Sequence, residues 1–294
     1  MSDPAKNLRW GAERRLEFIE FELAWEGGVR RSDIRRVFGV SEPQASNDLT
    51  EYQRRAPDNA IYDARLKRYV ANPSFRPAFL QGAPSEYLLR LRSLAEGIVE
   101  PEDSWIGTPP DVDIVLTPAR EMDAACLRAV LDAIRARGSL EVRYQSMSRD
   151  RPEPIWRRIT PHAFGFDGLR WHARAYCHVT ECFKDFLLPR ILGSRAPDQG
   201  GLWGDHDELW QERFCLEITP HPDLGPAQRS VVERDYGMTS GIAGLDVRYA
   251  MLFYVLKRLG LLDNPETKPA RSQHIVVANK EETMAALNRA DWSL

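Results

Sequence analysis

WHARAYC, residues 171–177, is the stretch on which the fold turns: Trp171, His172, Ala173, Arg174, Ala175, Tyr176 and Cys177. Small or apolar residues alternate with His, Arg and Tyr. In a β-strand successive side chains point to opposite faces. Trp171, Ala173, Ala175 and Cys177 then share a face that suits a core. His172, Arg174, Tyr176 and His178 share the other, which suits an anionic and planar partner. Three neighbouring segments also read as strands: SLEVRYQSM (139–147), WRRITPHAFGF (156–166) and FKDFLLPRIL (183–192). Asp167-Gly168 is a hairpin signal between two of them. Strands at this spacing suggest a small β-barrel.

The neighbours extend the polar face. VRYQS supplies Tyr144 and Ser146; RRITPH supplies Arg158, Thr160 and His162; LLPRI adds Arg190. Arginines cannot shed their charge, so a cluster of them is costly without anions. His162 and His172 add donors whose charge depends on pH. Tyr144 and Tyr176 offer rings on which a base can stack. The expected ligand is a phosphate-bearing molecule, a nucleotide or a piece of nucleic acid. The plainer alternative is that Glu141, Asp167, Glu181 and Asp185 partner these cations within the protein.

Upstream, residues 10–26 read as a helix. Leu16, Ile19 and Leu23 fall on one side, and Trp10, Phe18, Phe21 and Trp25 nearly opposite. A helix apolar on two sides is buried on two sides, and the second side is expected to meet another domain or subunit. Residues 32–55 follow as helix, turn, helix. Ser32 caps the first helix, Gly39 makes the turn, and Ser41 caps the second, with Pro43 in its first turn. Ala45, Leu49 and Tyr52 face inward. Residues 59–72 read as two short strands about a turn. A helix-turn-helix reads bases from the exposed side of its second helix. Here that side carries Gln44, Ser46, Asn47, Thr50, Gln53 and Arg54. Amides bond adenine bidentately, while Ser41 and the cations Arg54, Arg55, Arg65, Lys67 and Arg68 suit the flanking backbone. Asp48 is expected to turn back toward Arg35 or Arg36.

Downstream, residues 85–97 read as a helix and residues 118–137 as a second, opened by Thr117-Pro118. Residues 193–205 read as a linker. After it come a strand near FCLEI, helices near 226–235 and 246–261, a strand at HIVVA and a helix at 280–290. The expected divisions are 1–80, a helical linker at 81–138, the strand-rich domain at 139–204 and a small α+β domain at 205–294.

The 294 residues carry 43% hydrophobic residues and a net charge of −3. That allows several cored domains and excludes a wholesale polycation. Residues 1–80 hold 14 Lys and Arg against 12 Asp and Glu, a mild basic bias. Arg outnumbers Lys 34 to 6, which genome composition explains as readily as phosphate recognition. No signal peptide or apolar run of membrane length is visible, so a cytoplasmic protein with free thiols is expected. Cys177-His178-x3-Cys182 has no second ligand pair at zinc-like spacing, and neither metal nor cofactor is expected.

From Leu140 to Leu192 the order VRY…RRITPHAF…GLRWHARAYC…FLLPRI resembles the WYL domain, a small Sm-like barrel of bacterial regulators. The helix-turn-helix with two strands before it, and the α+β unit after it, resemble the three-part layout of WYL transcription regulators with an N-terminal winged helix. The WHARAYC variant resembles the CapW and BrxR group, repressors found beside phage-defence operons. His172 and Ala173 stand where the domain's name has Tyr and Leu, so no role of that Tyr carries over. The resemblance implies a multidomain α+β fold, a homodimer, an inverted-repeat DNA operator, and a ligand site at Tyr144, Ser146, Arg158, His172, Arg174 and Arg190. The sign of regulation, repression or activation, stays open.

No nucleophile elbow, phosphate loop, zinc-protease motif or dinucleotide fingerprint is present, so no enzyme is expected. The enzyme alternative is a metal-dependent nucleotide or nucleic-acid hydrolase built on Asp205, His206 and Asp207.

Overall fold

The computed structural model describes residues 10–80, 83–115, 118, 120–147, 153–198 and 200–290. The chain divides into two compact units, Met1–Leu116 and Thr117–Leu294.

In the first unit, α1 (Trp10–Trp25) supports α2 (Arg31–Phe38) and α3 (Glu42–Arg55). Ser32, the expected cap, lies inside α2, which starts one residue earlier: Arg30 stands at the N-cap and Asp33 accepts its N–H, while Gly39 ends α2 at φ 63°, a left-handed value that favours glycine. The Ser41 hydroxyl accepts the Gln44 N–H and caps α3. Ile34, Ala45, Leu49 and Tyr52 are buried as their spacing requires. Strands β1 (Ala60–Asp63) and β2 (Arg68–Ala71) pair antiparallel, and Val29 bridges Tyr69 as a further rung. This is a winged helix.

Both apolar sides of α1 are buried, but the second is covered from within this unit. Helices α4 (Pro84–Ala95) and α5 (Pro101–Ser104) lead into Trp105. The Trp105 ring stands edge-on to Phe18 at 5.5 Å and Phe21 at 5.8 Å, and Tyr87 meets Phe21 at 5.9 Å and Trp25 at 5.5 Å. The Trp10 side chain lies outside the described residues. Glu20 on α1 is fully buried. It accepts the Ala78, Phe79 and Leu80 N–H groups and the Tyr52 hydroxyl, and so ties the chain after the wing to α1.

The second unit opens with α6 (Ala124–Ala136), capped by Asp123 six residues after the expected start; Thr117 lies outside the described residues. Its Cys126, Val130 and Ala133 pack on a five-stranded antiparallel sheet. The strands are β3 (Ser139–Tyr144), β4 (Ile155–Phe166), β5 (Trp171–Cys177), β6 (Cys182–Leu187) and β7 (Ile191–Asp198), in the order β6-β5-β4-β3-β7. β7 occupies much of the stretch read as a linker, because its backbone pairs with β3 whatever its side chains. Among the described residues no ladder joins β6 to β7, so the sheet is open there.

Next come α7 (Glu208–Gln211), β8 (Arg213–Pro220), α8 (Pro226–Asp235), β9 (Ala243–Arg248), α9 (Tyr249–Arg258), β10 (Ile275–Val277) and α10 (Lys280–Arg289), with sheet order β10-β8-β9. The expected helix at 246–261 starts at Tyr249, because Ala243–Arg248 pair with β8 first. Among the described residues no helix is long and apolar enough to cross a membrane.

Candidate nucleic-acid interface and ligand-sensing face

On α3, Asn47 and Thr50 are exposed, and Thr50 Oγ1 returns its proton to the Ser46 carbonyl at 2.9 Å. Ser46 is half-buried beside them. Asp48 is buried and turns to α1 rather than to Arg35 or Arg36. Its carboxylate accepts Arg15 Nε at 2.7 Å, and Gln44 Nε2 donates to it at 2.9 Å. The Gln44 amide is thus partly engaged before any base arrives. Glu51 accepts from Arg54 and Arg55, whose hydrogen bonds hold its carboxyl down at about 2. On the wing, Arg65 and exposed Lys67 stand at the tip, Lys67 at φ 52°. Arg68 folds back against Gly27 beside the buried Glu22, with its Nε buried and without a partner.

The sheet answers what meets the second face of WHARAYC. Ala173, Ala175 and Cys177 are fully buried against α6, as alternation requires, while Trp171 at the strand's end is exposed beside Phe166. His172 and Arg174 are also buried, under the chain beyond β7. Arg174 donates to Asp207 through Nε at 2.7 Å and Nη2 at 3.1 Å, and to Asp185 on β6 at 3.3 Å. Burial opposes the Arg174 charge, but Asp207 and Asp185 outweigh it and hold the guanidinium protonated more firmly than usual. Asp207 is pushed up by burial and down by His162 and Arg174, and ends below the ordinary carboxylate range. His162 Nε2 stands 3.0 Å from Asp207, ringed by Phe183, Trp203 and Trp210. The His172 ring meets that of Tyr254 of α9 at 5.0 Å, tilted by 39°, and His172 reaches Asp167, while the Tyr254 hydroxyl donates to Asp185 at 2.9 Å.

The eight expected ligand residues therefore fall into three places. His162, His172, Arg174 and Tyr176 gather at the seam between the sheet and the C-terminal elements. A groove of about 590 Å³ opens beside them, lined among others by Arg174, Tyr176, Lys184, His206, Tyr254 and Arg289. Tyr144 lies on the opposite face of the sheet. It alternates inward with Leu140 and Val142, sets its ring edge-on to Phe186 at 5.0 Å, and accepts the Leu187 N–H. Ser146 follows near the turn that carries half-buried Arg190, whose carbonyl accepts the Gln145 N–H. Arg158 lies on the outer face and donates to Ser139 and to the Gly200 carbonyl. Sequence reasoning offers Asp185 as a partner for Arg174 but not Asp207, which it reads as part of an acidic patch that caps a helix or, in the enzyme alternative, holds a metal; Asp207 does cap α7. Its oxygens here accept from Arg174, His162 and the Trp210 N–H. Among the described residues no group of three or more His, Cys, Asp or Glu side chains could hold a metal ion. The sequence signal available was the rule that a buried arginine needs a carboxylate; which of many carboxylates serves is set by the tertiary fold.

A winged helix followed by a separate sheet-bearing unit with a charged seam has the build of a transcription regulator. The comparisons agree. Residues 11–93 match the BrxR transcriptional regulator winged helix-turn-helix domain, residues 125–196 the WYL domain, and residues 213–283 the BrxR transcriptional regulator C-terminal dimerization domain. The chain is 44% identical over 286 residues to the DNA-binding transcriptional repressor CapW of Stenotrophomonas maltophilia, covering 96% of this chain and 94% of that one. It is 39% identical to CapW of Pseudomonas aeruginosa, over 94% and 92% of the two chains. It is 37% identical to CapW of Escherichia coli strain KTE188, over 97% and 94%. A solved structure, proteasome accessory factor B/C of Arthrobacter aurescens, superposes with a TM-score of 0.28 at 14% identity, over 95% of this chain and 46% of that one; a likeness this slight carries no argument. The chain belongs to the CapW family of DNA-binding transcriptional repressors.

Proposed function

We propose that this protein is a homodimeric repressor in the cytoplasm that binds an inverted repeat near its own phage-defence operon. Residues 1–80 read the operator, residues 139–204 carry the open WYL sheet that senses a ligand, where a closed Sm-like barrel was expected, and residues 205–294 form the dimerising extension. The stretch 81–138 connects them. Asn47, Thr50, Ser46 and Gln44 read bases, and Ser41, Arg54, Arg55, Arg65, Lys67 and Arg68 hold the DNA backbone. Two recognition helices about 34 Å apart, or a multiple of that, meet successive major-groove faces. The observation that carries the reading is the capped α3 beside its wing, with Asn47 exposed at its surface, in a chain similar along its whole length to named DNA-binding repressors.

The inducer is an anionic nucleotide or nucleic-acid fragment. Its site draws on His162, His172, Arg174 and Tyr176 at the groove; of the other expected residues, Tyr144 faces the opposite side of the sheet, and Ser146, Arg158 and Arg190 stand away from the seam. An anion entering the groove at Arg174 competes with Asp207 and Asp185, so its arrival loosens the seam on which the C-terminal elements sit. Release of DNA then requires the ligand to prefer the loosened arrangement. Moving from almost fully bound to almost fully released takes about 5 kcal/mol of such preference.

A reporter driven by the DNA upstream of the gene tests the sign. Deleting the gene raises expression if the protein represses, and lowers it under the alternative of a WYL-type activator. The hydrolase alternative predicts divalent-metal-dependent cleavage that Asp207→Asn abolishes. Asp207's engagement with Arg174 argues for anchoring instead.

A further inference from the structure

We propose that Cys177 and Cys182 form an oxidant-responsive disulfide across the β5–β6 hairpin. The two residues face each other directly in the antiparallel register, Cys177 opposite Cys182. Directly opposed residues in such a pair have Cα atoms about 4.5–5.5 Å apart, inside the roughly 4.4–6.8 Å that a disulfide accepts. Cys182 Sγ stands 3.4 Å from Thr180 Oγ1, in the turn that joins the two cysteines. Both are free thiols, Cys177 buried and Cys182 exposed on the wall of the groove described above.

A second observation comes from Arg157. It lies two residues before Ile159, the partner of Cys177 on β4, and so on the same inner face. Arg157 is buried, its Nε has no hydrogen-bond partner, and its guanidinium lies 5.5 Å from the centre of the Tyr144 ring. The buried Arg157 charge favours negative charge on the Cys177 sulfur. Burial pushes the Cys177 thiol up. The Thr180 side chain, the Val179 and Thr180 N–H groups and the Arg157 charge outweigh it and bring the thiol below its ordinary value. A thiolate is the nucleophile in disulfide formation.

The division of labour follows from exposure. The oxidant is a hydroperoxide. The Cys182 sulfur attacks its outer oxygen, forming Cys182 sulfenic acid and releasing water or an alcohol. The Cys177 thiolate then attacks the Cys182 sulfur. The S–S bond forms, the S–O bond breaks, and the departing hydroxide takes up a proton to become water. Two thiols lose two electrons and the O–O bond is reduced. In a reducing compartment such a bond is transient and signalling rather than structural, and a thiol donor reverses it.

The test is peroxide treatment of the full-length protein, quenching with an alkylating agent, and peptide mapping without reductant. The expected result is a peptide linking Cys177 to Cys182, lighter by two hydrogens, that disappears with dithiothreitol. Cys182→Ser, at an exposed position, abolishes it and leaves Cys177 reduced. In Cys177→Ser the sulfenic acid on Cys182 persists and is trapped by dimedone. An oxidised Cys182 with Cys177 still alkylatable in the wild-type protein would overturn the proposal. So would a disulfide to Cys126, to Cys215 or to a second chain.

Discussion

Asn47 and Glu22 lie in the same winged helix and are asked for different things. Asn47 is exposed on α3, and a good base contact is worth about 1–3 kcal/mol. Asn47→Ala should weaken binding to the operator by that amount while leaving binding to random duplex unchanged, as read by titration on both. Equal loss on both would assign Asn47 to the backbone. Glu22 is buried, with Oε1 lacking a partner. Burial first, then Asp33 and Glu26, push its carboxyl from 4.5 to about 8, against the pull of Arg36 and Arg68. The folded chain therefore holds this proton while the unfolded chain releases it. Stability falls as pH rises between 4.5 and about 8. Glu22→Gln should flatten that part of the stability–pH curve in urea titrations; an unchanged slope would show that Glu22 ionises freely in the native state. Neither burial nor the turn of Asp48 toward Arg15 was legible in the sequence. Spacing along a helix gives a residue's side, and leaves open whether a partner 33 positions away comes to meet it.

At the scale of elements, the alternation in WHARAYC was legible, and its partners only in part: Asp185 and Asp167 were among the carboxylates the sequence offers, and Asp207 was not. The inner face follows from period two alone. The outer face suits an external anion or carboxylates of the chain, and Asp207 and Asp185 meet Arg174 there. Strands β7 and β9 were missed for a related reason: pairing with β3 and β8 is a backbone property that their own residues barely announce. Removing one partner of a buried ion pair costs about 3–5 kcal/mol. Asp207→Ala should fall at the lower end, since Asp185 still faces Arg174, and should loosen the C-terminal elements first in hydrogen exchange. A third carboxylate, Asp167 beside His172, sets an acid limit. Burial pushes the Asp167 carboxyl up, but Arg170, His172 and the Leu169 and Arg170 N–H groups outweigh it and carry it from 3.8 to about 2. A depressed folded value gives stability that is complete above the ordinary value and is lost as pH falls through the folded one. In Asp167→Asn that stretch of the acid unfolding curve should flatten. In the first unit, Trp105 fills the second side of α1. Trp105→Ala should cost about 3–5 kcal/mol without changing the oligomeric mass, because the contacts it loses are within one chain. A change of mass would restore the expectation that this side of α1 meets a second subunit.

For the whole molecule, the order of winged helix, WYL domain and α+β extension was legible because each has its own punctuation: Ser41 and Gly39 in the first, strand alternation in the second, a helix–strand succession in the third. The family's dimerization domain is matched at residues 213–283, but how two copies pair is encoded by no single strand or helix. The central claim is sequence-specific DNA binding, and fluorescence anisotropy of the purified protein on a labelled duplex from upstream of its own gene, against a scrambled duplex, tests it most directly. The account predicts tight binding to the native duplex and a loss of ~10³-fold or more on the scrambled one. Equal, salt-sensitive binding to both would contradict it and reduce the winged helix to a non-specific tether.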